Sequence, residues 1–304
     1  MREFEAVAVG PVAQGFQLTN AGKALLQQVI FQRQINLLGG IRYYKGFTSR
    51  AQRHRGPEAY LLTRSISIII PAYNEEKRLP ATLKRIEAYL AGSDWSFSEI
   101  LIVDDGSTDG TAAAAERFGE AHPGARLLRN PGNRGKGYSV RHGMLEARGE
   151  WALFTDADLS APIEELEKLW RAVEASGTAG AIGSRALDRR LIGVHQPALR
   201  ENIGRLFNLA MRAVTGLPYR DTQCGFKLFE TRAAQRIFRR QRLDGFGFDV
   251  EVLFVARRLG YRILEVPVRW NNVEGTKVSL LRGLAAFLDP FRVRWYQLRG
   301  RYRE

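Results

Sequence analysis

Apolar runs alternate with stretches of helical periodicity from Ser65 onward, and this pattern predicts the architecture of the chain. Short β-branched or apolar runs bounded by Gly, Pro or Asp are typical of buried strands, and apolar spacings of three and four are typical of helices. The predicted strands are Ile66–Ile70, Ile100–Val103, Arg126–Leu128, the run before Asp156, Gly180–Gly183, Phe226–Phe229 and Arg262–Trp270. The predicted helices are Leu79–Leu90, Thr111–Phe118, Tyr138–Ala147, Ile163–Ala175, Glu201–Thr215, Arg232–Arg240 and Val250–Leu259. This alternation predicts an α/β fold with a mostly parallel central sheet and helices on both faces.

Three segments of the chain differ in pattern. Residues 1–64 lack strong periodicity and are basic after Arg42, so we expect a poorly ordered basic leader or an arm that contacts a lipid or partner surface. Residues 65–275 hold the predicted strands and form one domain with halves 65–160 and 161–275. Residues 276–304 mix apolar and basic side chains, which predicts an amphipathic tail, broken at Pro290, that lies at a membrane interface or packs on the domain.

The composition is ordinary except for its charge. The 304 residues carry a net charge of +14, which favours nucleic acid, an anionic membrane surface or phosphorylated ligands as partners. Cys224 is the single cysteine, which excludes an intrachain disulfide and a cysteine metal cluster. No run approaches the roughly 20 apolar residues that span a bilayer, and the N-terminus has no apolar signal core. We therefore expect an intracellular protein that can rest on a membrane surface.

Polar clusters follow three of the predicted strands. Asp156 and Asp158 come after the run from Trp151, Asp104 and Asp105 end the second strand, and residues 71–75 end the first. The carboxyl ends of parallel strands meet at the edge where open α/β sheets bind ligands. Two carboxylates this close repel each other unless a cation shares them, and Mg²⁺ or Mn²⁺ suits such hard oxygen ligands. The alternatives are a helix cap for the Asp-x-Asp pair and a tight turn for Asp-Gly-Ser.

A glycine-rich loop, Gly132–Gly137, follows the third predicted strand. Its backbone amides and the side chains of Arg134 and Lys136 could hold a phosphate. It is not a P-loop, because Gly137 stands where that motif requires Ser or Thr. A plain turn is the alternative.

In their order and spacing, these motifs resemble those of family 2 glycosyltransferases. The matching segments are Pro71-Ala-Tyr-Asn-Glu75, Val103-Asp-Asp-Gly-Ser107, Asn133-Arg-Gly-Lys-Gly137 and Thr155-Asp-Ala-Asp158. Asp221-Thr-Gln-Cys-Gly-Phe-Lys-Leu-Phe229 and Gly247-Phe-Asp-Val-Glu251 are similar to motifs of the dolichyl-phosphate β-glucosyltransferases and other polyprenyl-phosphate hexose transferases. The resemblance covers residues 65–270. It implies a Rossmann-like GT-A fold and an inverting enzyme, with a nucleotide-binding first half and an acceptor-binding second half.

The resemblance also implies a role for each residue that matches a donor motif. The expected contacts to the nucleotide, with Asp105 near the ribose or base, are Pro71, Tyr73, Glu75, Asp104 and Asp105. Asp156 and Asp158 would hold Mg²⁺ or Mn²⁺ against the donor diphosphate, so that Asp156 also belongs to the nucleotide-sugar site. Lys136 would lie close to the donor phosphates or sugar.

The later motifs imply an acceptor site. Lys227 and Arg200 would grip an acceptor phosphate, with Arg185 as a third candidate, and Asp249 and Glu251 would lie near the sugar or the metal. The structural alternatives are a charge at a strand edge for Lys227 and a surface charge for Arg200. Asp249 and Glu251 could instead be acids that begin a helix. A lipid phosphate is already an anionic nucleophile, so it needs cations and in-line placement more than a general base. Asp249 would act as a base only for a hydroxyl acceptor.

The expected function is metal-dependent transfer of glucose from UDP-glucose to dolichyl or polyprenyl phosphate at the cytoplasmic face of a membrane, with a β-linked product. The alternatives within the enzyme class are another nucleotide sugar, such as GDP-mannose, and a hydroxyl acceptor. The net charge of +14 also suggests a nucleic-acid-binding protein. We expect no nucleic acid partner, because the chain lacks a zinc-finger, helix-turn-helix or RRM-type motif.

Overall fold

The computed structural model describes residues 64–194, 208–273 and 288–303. The strands are β1 Ser65–Ala72, β2 Phe97–Asp104, β3 Ala125–Arg129, β4 Trp151–Thr155, β5 Gly180–Ser184, β6 Ile192–Val194, β7 Phe226–Glu230, β8 Ile263–Pro267 and β9 Trp270–Asn271. The helices are α1 Leu79–Ala91, α2 Thr111–Ala121, α3 Lys136–Glu146, α4 Leu166–Ser176, α5 Thr231–Phe238, α6 Phe248–Arg258 and α7 Asp289–Leu298. Residues 208–215 are also helical. Short 3-10 turns span Ile163–Glu165 and Arg189–Leu191.

Seven strands form the central sheet in the order β3-β2-β1-β4-β7-β5-β8. The pairs among β3, β2, β1 and β4 are parallel, as is β5 with β8. Only β7 among these seven runs against its neighbours. The predicted mostly parallel sheet is thereby confirmed, and β8, which contains Pro267, lies at its edge. The predicted strand 262–270 ends at Pro267, and Trp270 instead pairs with β6 in a separate two-stranded sheet.

Helices cover both faces of the sheet, as the sequence predicts. One core joins strand residues such as Ile69 and Phe154 to α3, α5 and α6, and the other joins Ile68 and Leu153 to α1 and α4. Strands buried on both faces read as continuous apolar runs, which is why Ile68–Ile70 of β1 and Trp151–Phe154 of β4 show no alternation. Gly143 lets α3 lie close to the sheet, since a Cβ there would be 2.4 Å from the Ile69 side chain.

The reversal of β7 decides which loops share the carboxyl edge of the sheet. Thr155, the last residue of β4, faces Phe226, the first residue of β7. The segment 221–225 therefore enters β7 at the edge where Asp156 and Asp158 leave β4.

The predicted domain boundaries are only partly covered by the described residues. Residues 1–63 and 274–287, which hold most of the leader and the first part of the tail, lie outside them, as does Arg200. The division at residues 64 and 276 thus stays a prediction. Pro290 stands in the first turn of α7, where proline is tolerated. None of the described helices has the length and apolarity that a membrane span requires.

Candidate active site

A pocket of about 380 Å³ opens at the carboxyl edge of the sheet. It lies beyond the ends of β1, β2 and β4, where parallel α/β sheets bind ligands. The predicted site residues that line it are Pro71, Tyr73, Glu75, Asp105, Lys136, Asp156 and Asp158. Four motifs that are distant in the sequence thus share one cavity.

Hydrogen bonds hold the turn after β1 against the turn after β2. Asn74 has a positive φ of 55°, and its backbone N–H donates to the Ser107 hydroxyl at 2.9 Å. The Thr108 N–H donates to the Asn74 side-chain oxygen at 2.8 Å, and the Glu75 N–H donates to the Thr111 hydroxyl at 2.7 Å. These bonds place Tyr73 and Glu75 at the pocket wall.

Asp105 organises the glycine-rich loop. Its carboxylate accepts hydrogen bonds from the Asn130 side chain at 2.8 Å and from the backbone N–H groups of Arg134 and Gly135 at 2.9 and 2.8 Å. Those two amides are therefore occupied, so phosphate binding by the remaining amides and by the side chains of Arg134 and Lys136 stays a prediction. Asp104 is buried, accepts from the Ser107 N–H at 3.2 Å and does not line the pocket.

Glycines allow the loops around the pocket to approach each other. Gly106 has a φ of +72°, and a Cβ there would be 2.6 Å from the Gly132 carbonyl carbon. A Cβ on Gly137 would be 2.7 Å from the Cβ of Phe248, where α6 begins. The loop before α3 and the segment before α6 therefore meet beside the pocket.

Lys136 neutralises part of the acidic cluster. Its Nζ lies 2.6 Å from Asp156 Oδ1, and its side chain is 20% exposed. Burial by itself lowers the pKa of Lys136, but the carboxylates of Asp156 and Asp249 outweigh it and raise that pKa to about 12. The Asp158 carboxylate accepts from the Ser160 N–H at 2.9 Å. Among the described residues, no group of three or more His, Cys, Asp or Glu side chains is placed to hold a metal ion.

Lys227 and Asp249 form a buried ion pair beneath the pocket. Lys227 is fully buried in the internal strand β7, and its Nζ pairs with Asp249 and donates to the Cys224 carbonyl at 2.7 Å. The strand-edge alternative for Lys227 is therefore wrong. Burial raises the pKa of Asp249, and the cations of Lys227 and Lys136 oppose this effect. Neither residue lines the pocket in this structure.

A second buried ion pair joins β5 to the segment before β7. Arg185 donates through two nitrogens to Asp221, at 2.7 and 2.9 Å, and its guanidinium lies 5.4 Å from the Trp270 ring centroid. Burial alone would raise the pKa of Asp221, but Arg185 outweighs it and keeps that pKa below its usual range. Cys224 nearby is buried, and burial raises the pKa of its thiol to about 12, so this cysteine fills space.

Comparison with known proteins decides the family. The model of the family described as "Glycosyl transferase family 2" matches residues 67–238, which contain the pocket. The chain belongs to this family. The transferase is 39% identical over 225 residues to a dolichyl-phosphate beta-glucosyltransferase of Trichomonas vaginalis, covering 71% of this chain and 68% of that one. The enzymes of the same name from Saccharomyces cerevisiae and Homo sapiens are 36% and 35% identical, with 79% and 71% of this chain and 77% and 70% of theirs covered.

Solved structures show the same fold as this transferase. The glucosyl-3-phosphoglycerate synthase of Mycobacterium tuberculosis, described in complex with Mn²⁺, UDP and glucosyl-3-phosphoglycerate, aligns with a TM-score of 0.56 at 21% identity, over 82% of this chain and 86% of that one. The mannosyl-3-phosphoglycerate synthase of Rubrobacter xylanophilus aligns with a TM-score of 0.58 at 18% identity, over 79% and 76%. The predicted GT-A fold and hexosyltransferase class are confirmed, so the nucleic-acid-binding alternative is not favoured.

One residue of this transferase lies elsewhere than the sequence predicts. Glu251 was expected near the sugar or the metal, but its carboxylate is fully buried in α6 and does not line the pocket. It accepts from the backbone N–H groups of Arg242 and Leu243 instead, at 3.0 and 2.8 Å. The helix begins at Phe248, two residues earlier than predicted, so Glu251 lies in its first turn.

Several pocket residues escape the motif-based prediction. They are Arg78, Ser139, Gly245 and Phe246, which lie outside the quoted motifs. Phe246 lies between two glycines just before α6, and an aromatic residue in such a flexible setting is the one signal that could have identified it. Arg78 forms a two-fold hydrogen bond with Glu75, at 2.6 and 2.9 Å, which only the folded turn brings together.

Proposed function

We propose that this family 2 transferase moves glucose from UDP-glucose to dolichyl or polyprenyl phosphate. The observation that carries the proposal is the shared name of its relatives, dolichyl-phosphate beta-glucosyltransferase, at 35–39% identity over about 70% or more of the chain. The pocket supports it, because two aromatic residues, four acids and a lysine converge there. Tyr73 would stack on the uracil, and Glu75 and Asp105 would flank the nucleoside.

The residues present fit a divalent cation. Asp156 and Asp158 offer hard carboxylate oxygens to one pocket, the donor type that Mg²⁺ and Mn²⁺ prefer. They are two side chains only, which matches ions that keep sites open for substrate phosphates. The bound ion would neutralise the charge that develops on the departing UDP. Lys136, beside Asp156, would share this task on the donor phosphates.

The reaction would be a single displacement. An oxygen of the acceptor phosphate attacks the anomeric carbon, the bond from that carbon to the UDP oxygen breaks, and the electron pair leaves with UDP. The α-linked donor thus gives a β-linked product. Asp249 is already paired with Lys227, so it would hold that lysine in place rather than accept a proton. Its negative charge would also help to keep Lys136 protonated. Arg200 remains the candidate for binding the acceptor phosphate directly.

A membrane surface would present the lipid acceptor, and α7 offers a face for it. Four apolar side chains at the spacing of one helical face are strongly exposed, namely Leu288, Phe291, Trp295 and Leu298. The opposite face packs inward through the fully buried Val293. Arginines at positions 292, 294 and 299 border the apolar face. This arrangement is that of an interfacial helix on an anionic surface, so we place the enzyme peripherally on the cytoplasmic face of a membrane.

Replacing Phe291 and Trp295 with Ser should weaken binding to phosphatidylserine-containing vesicles by at least about tenfold, because each buried aromatic side chain contributes roughly 1.5–3 kcal/mol. Vesicle co-sedimentation measures the effect. Phe97→Ser, which alters an exposed apolar side chain on β2, is the matched control and should bind as the unaltered protein does. Equal binding by all three proteins would assign membrane contact to another surface.

The proposed reaction predicts lipid-linked glucose from purified protein, labelled UDP-glucose and dolichyl phosphate when Mn²⁺ or Mg²⁺ is present. Chelation of the metal should remove the product, and Asp158→Asn should lower its rate by about 100-fold or more, since charge stabilisation of the leaving group contributes several kcal/mol. Extraction of labelled glycolipid measures transfer. GDP-mannose and a hydroxyl acceptor run in parallel, and turnover with one of them in place of the proposed pair would contradict the proposal.

A further inference from the structure

The carboxylate of Glu251 joins three parts of the chain. It is fully buried on α6, yet it accepts hydrogen bonds from the Arg242 N–H at 3.0 Å and the Leu243 N–H at 2.8 Å. A third bond comes from the hydroxyl of Tyr302, at 2.7 Å. Buried polar networks of this kind are rigid when every member is satisfied and costly when one member is removed.

The segment that Glu251 holds continues directly into the pocket wall. Gly245 and Phe246 line the pocket, two and three residues after Leu243. Asp244 lies between Leu243 and Gly245, and its backbone carbonyl accepts a hydrogen bond from the Tyr138 N–H of α3 at 3.1 Å. The same carbonyl approaches the loop before α3 so closely that a Cβ on Gly135 would be 2.6 Å from it. The position of residues 242–246 therefore bears on the loop that carries Lys136.

The C-terminal residues reach this segment at both of its ends. Tyr302 bonds to Glu251, and its ring packs against Phe254 with centroids 6.2 Å apart. At the other end, Asp289, the first residue of α7, lies against Gly247, where a Cβ would be 2.2 Å from its carboxylate. The same α7 carries the exposed apolar face described above.

We propose that Glu251 is a positioning residue through which the C-terminal residues 289–303 hold the wall of the donor pocket. Donor binding then depends on whether this C-terminal segment stays packed in place. The inference rests on the proposed function in one respect, namely that the pocket binds a nucleotide sugar. Without the Tyr302 hydroxyl, the buried carboxylate loses one hydrogen-bond donor, and it holds the backbone of residues 242–243 less firmly. The segment then opens more often, and the donor must restore its order on binding.

The test compares Tyr302→Phe with Tyr296→Phe in the full chain. Both changes remove one hydroxyl, and the Tyr296 ring packs on Tyr302 with centroids 6.4 Å apart, which makes it a matched control. Hydrogen–deuterium exchange of residues 242–247 is measured first, without any ligand. UDP binding in Mn²⁺ is then measured by calorimetry, and KM and kcat are measured with UDP-glucose.

We expect Tyr302→Phe to speed exchange across residues 242–247 and to raise the Kd for UDP by about fivefold or more, the lower end of typical coupling between distant sites. KM for the donor should rise with little change in kcat, and Tyr296→Phe should match the unaltered protein in every measurement. Unchanged exchange or unchanged UDP affinity in Tyr302→Phe would overturn the inference, even if the variant melts at a lower temperature. Failure of the unaltered protein to bind UDP would instead overturn the proposed function, and the exchange data would still decide whether Glu251 holds the segment.

Discussion

Lys227→Met should lower the free energy of unfolding by about 3–5 kcal/mol, the usual cost of removing one partner of a buried ion pair. The lysine is fully buried, and Asp249 retains only 4% of its side-chain exposure. Methionine fills a similar volume, so the loss comes from the carboxylate that stays buried without its cation. Lys136 is the other cation that opposes the effect of burial on Asp249, and it is already paired with Asp156.

A double variant separates this charge effect from packing. Lys227→Met combined with Asp249→Leu removes both charges, and replacing a whole buried pair by apolar residues is often close to neutral for stability. We expect urea unfolding to show recovery of most of the lost free energy, while transfer activity stays low because the charge near Lys136 has changed. Arg85→Met breaks the exposed pair with Glu164 and should cost at most about 1 kcal/mol. A Lys227→Met protein as stable as the unaltered one would refute the buried pair.

Gly225→Ala should reduce transfer activity by about 100-fold or more while leaving most of the stability intact. A Cβ at this position would lie 2.2 Å from Asp156 Oδ2 and 2.6 Å from Oδ1. The carboxylate is the end of a rotatable side chain, so it can swing away at little cost to the fold. It would then leave the place it shares with Asp158, and displacements of about 1 Å in an active site cost roughly 100-fold in rate.

Metal-dependent binding of UDP, measured by calorimetry, should weaken in Gly225→Ala together with the rate of transfer. Gly92→Ala is the control, because a Cβ there meets its nearest atom at an ordinary 3.6 Å and the residue lies at the end of α1, away from the pocket. The control should retain full activity. If Gly225→Ala bound UDP and transferred glucose normally, UDP binding and transfer would not depend on the position of the Asp156 carboxylate.

The sequence predicts well which residues line the pocket beyond β1, β2 and β4, for a physical reason. β1, β2 and β4 are parallel neighbours, so polar residues at their carboxyl ends must converge, and the pocket indeed contains Glu75, Asp105 and Asp156. The pattern cannot show which of these acids already accepts hydrogen bonds from other parts of the protein. The carboxylate of Asp105 is committed to loop amides that lie about 30 residues further along the chain.

The second half of the chain is less predictable from its sequence, because its contacts depend on one reversed strand. Nothing in Phe226–Glu230 distinguishes an antiparallel strand from a parallel one, since it is buried on both faces. Without that direction, Lys227 reads as an edge charge or a ligand for phosphate, and its pairing with Asp249 stays hidden. Glu251 is similar, because its partner Tyr302 lies 51 residues away at the end of the chain.

The antiparallel pairing of β4 with β7 also bears on how the protein folds. Thr155 and Phe226 are about 70 residues apart in the chain, so their pairing closes a long loop, and such non-local contacts form slowly because their entropic cost precedes their reward. The pairings of β1 with β2 and of β2 with β3 are much more local, whereas β4 pairs with β1 across an even longer stretch of chain than with β7. The half of the site that holds Asp105 can therefore take shape early, whereas Gly225 reaches Asp156 only when β7 docks. This edge of the pocket is thus complete only when β4 has paired with both β1 and β7.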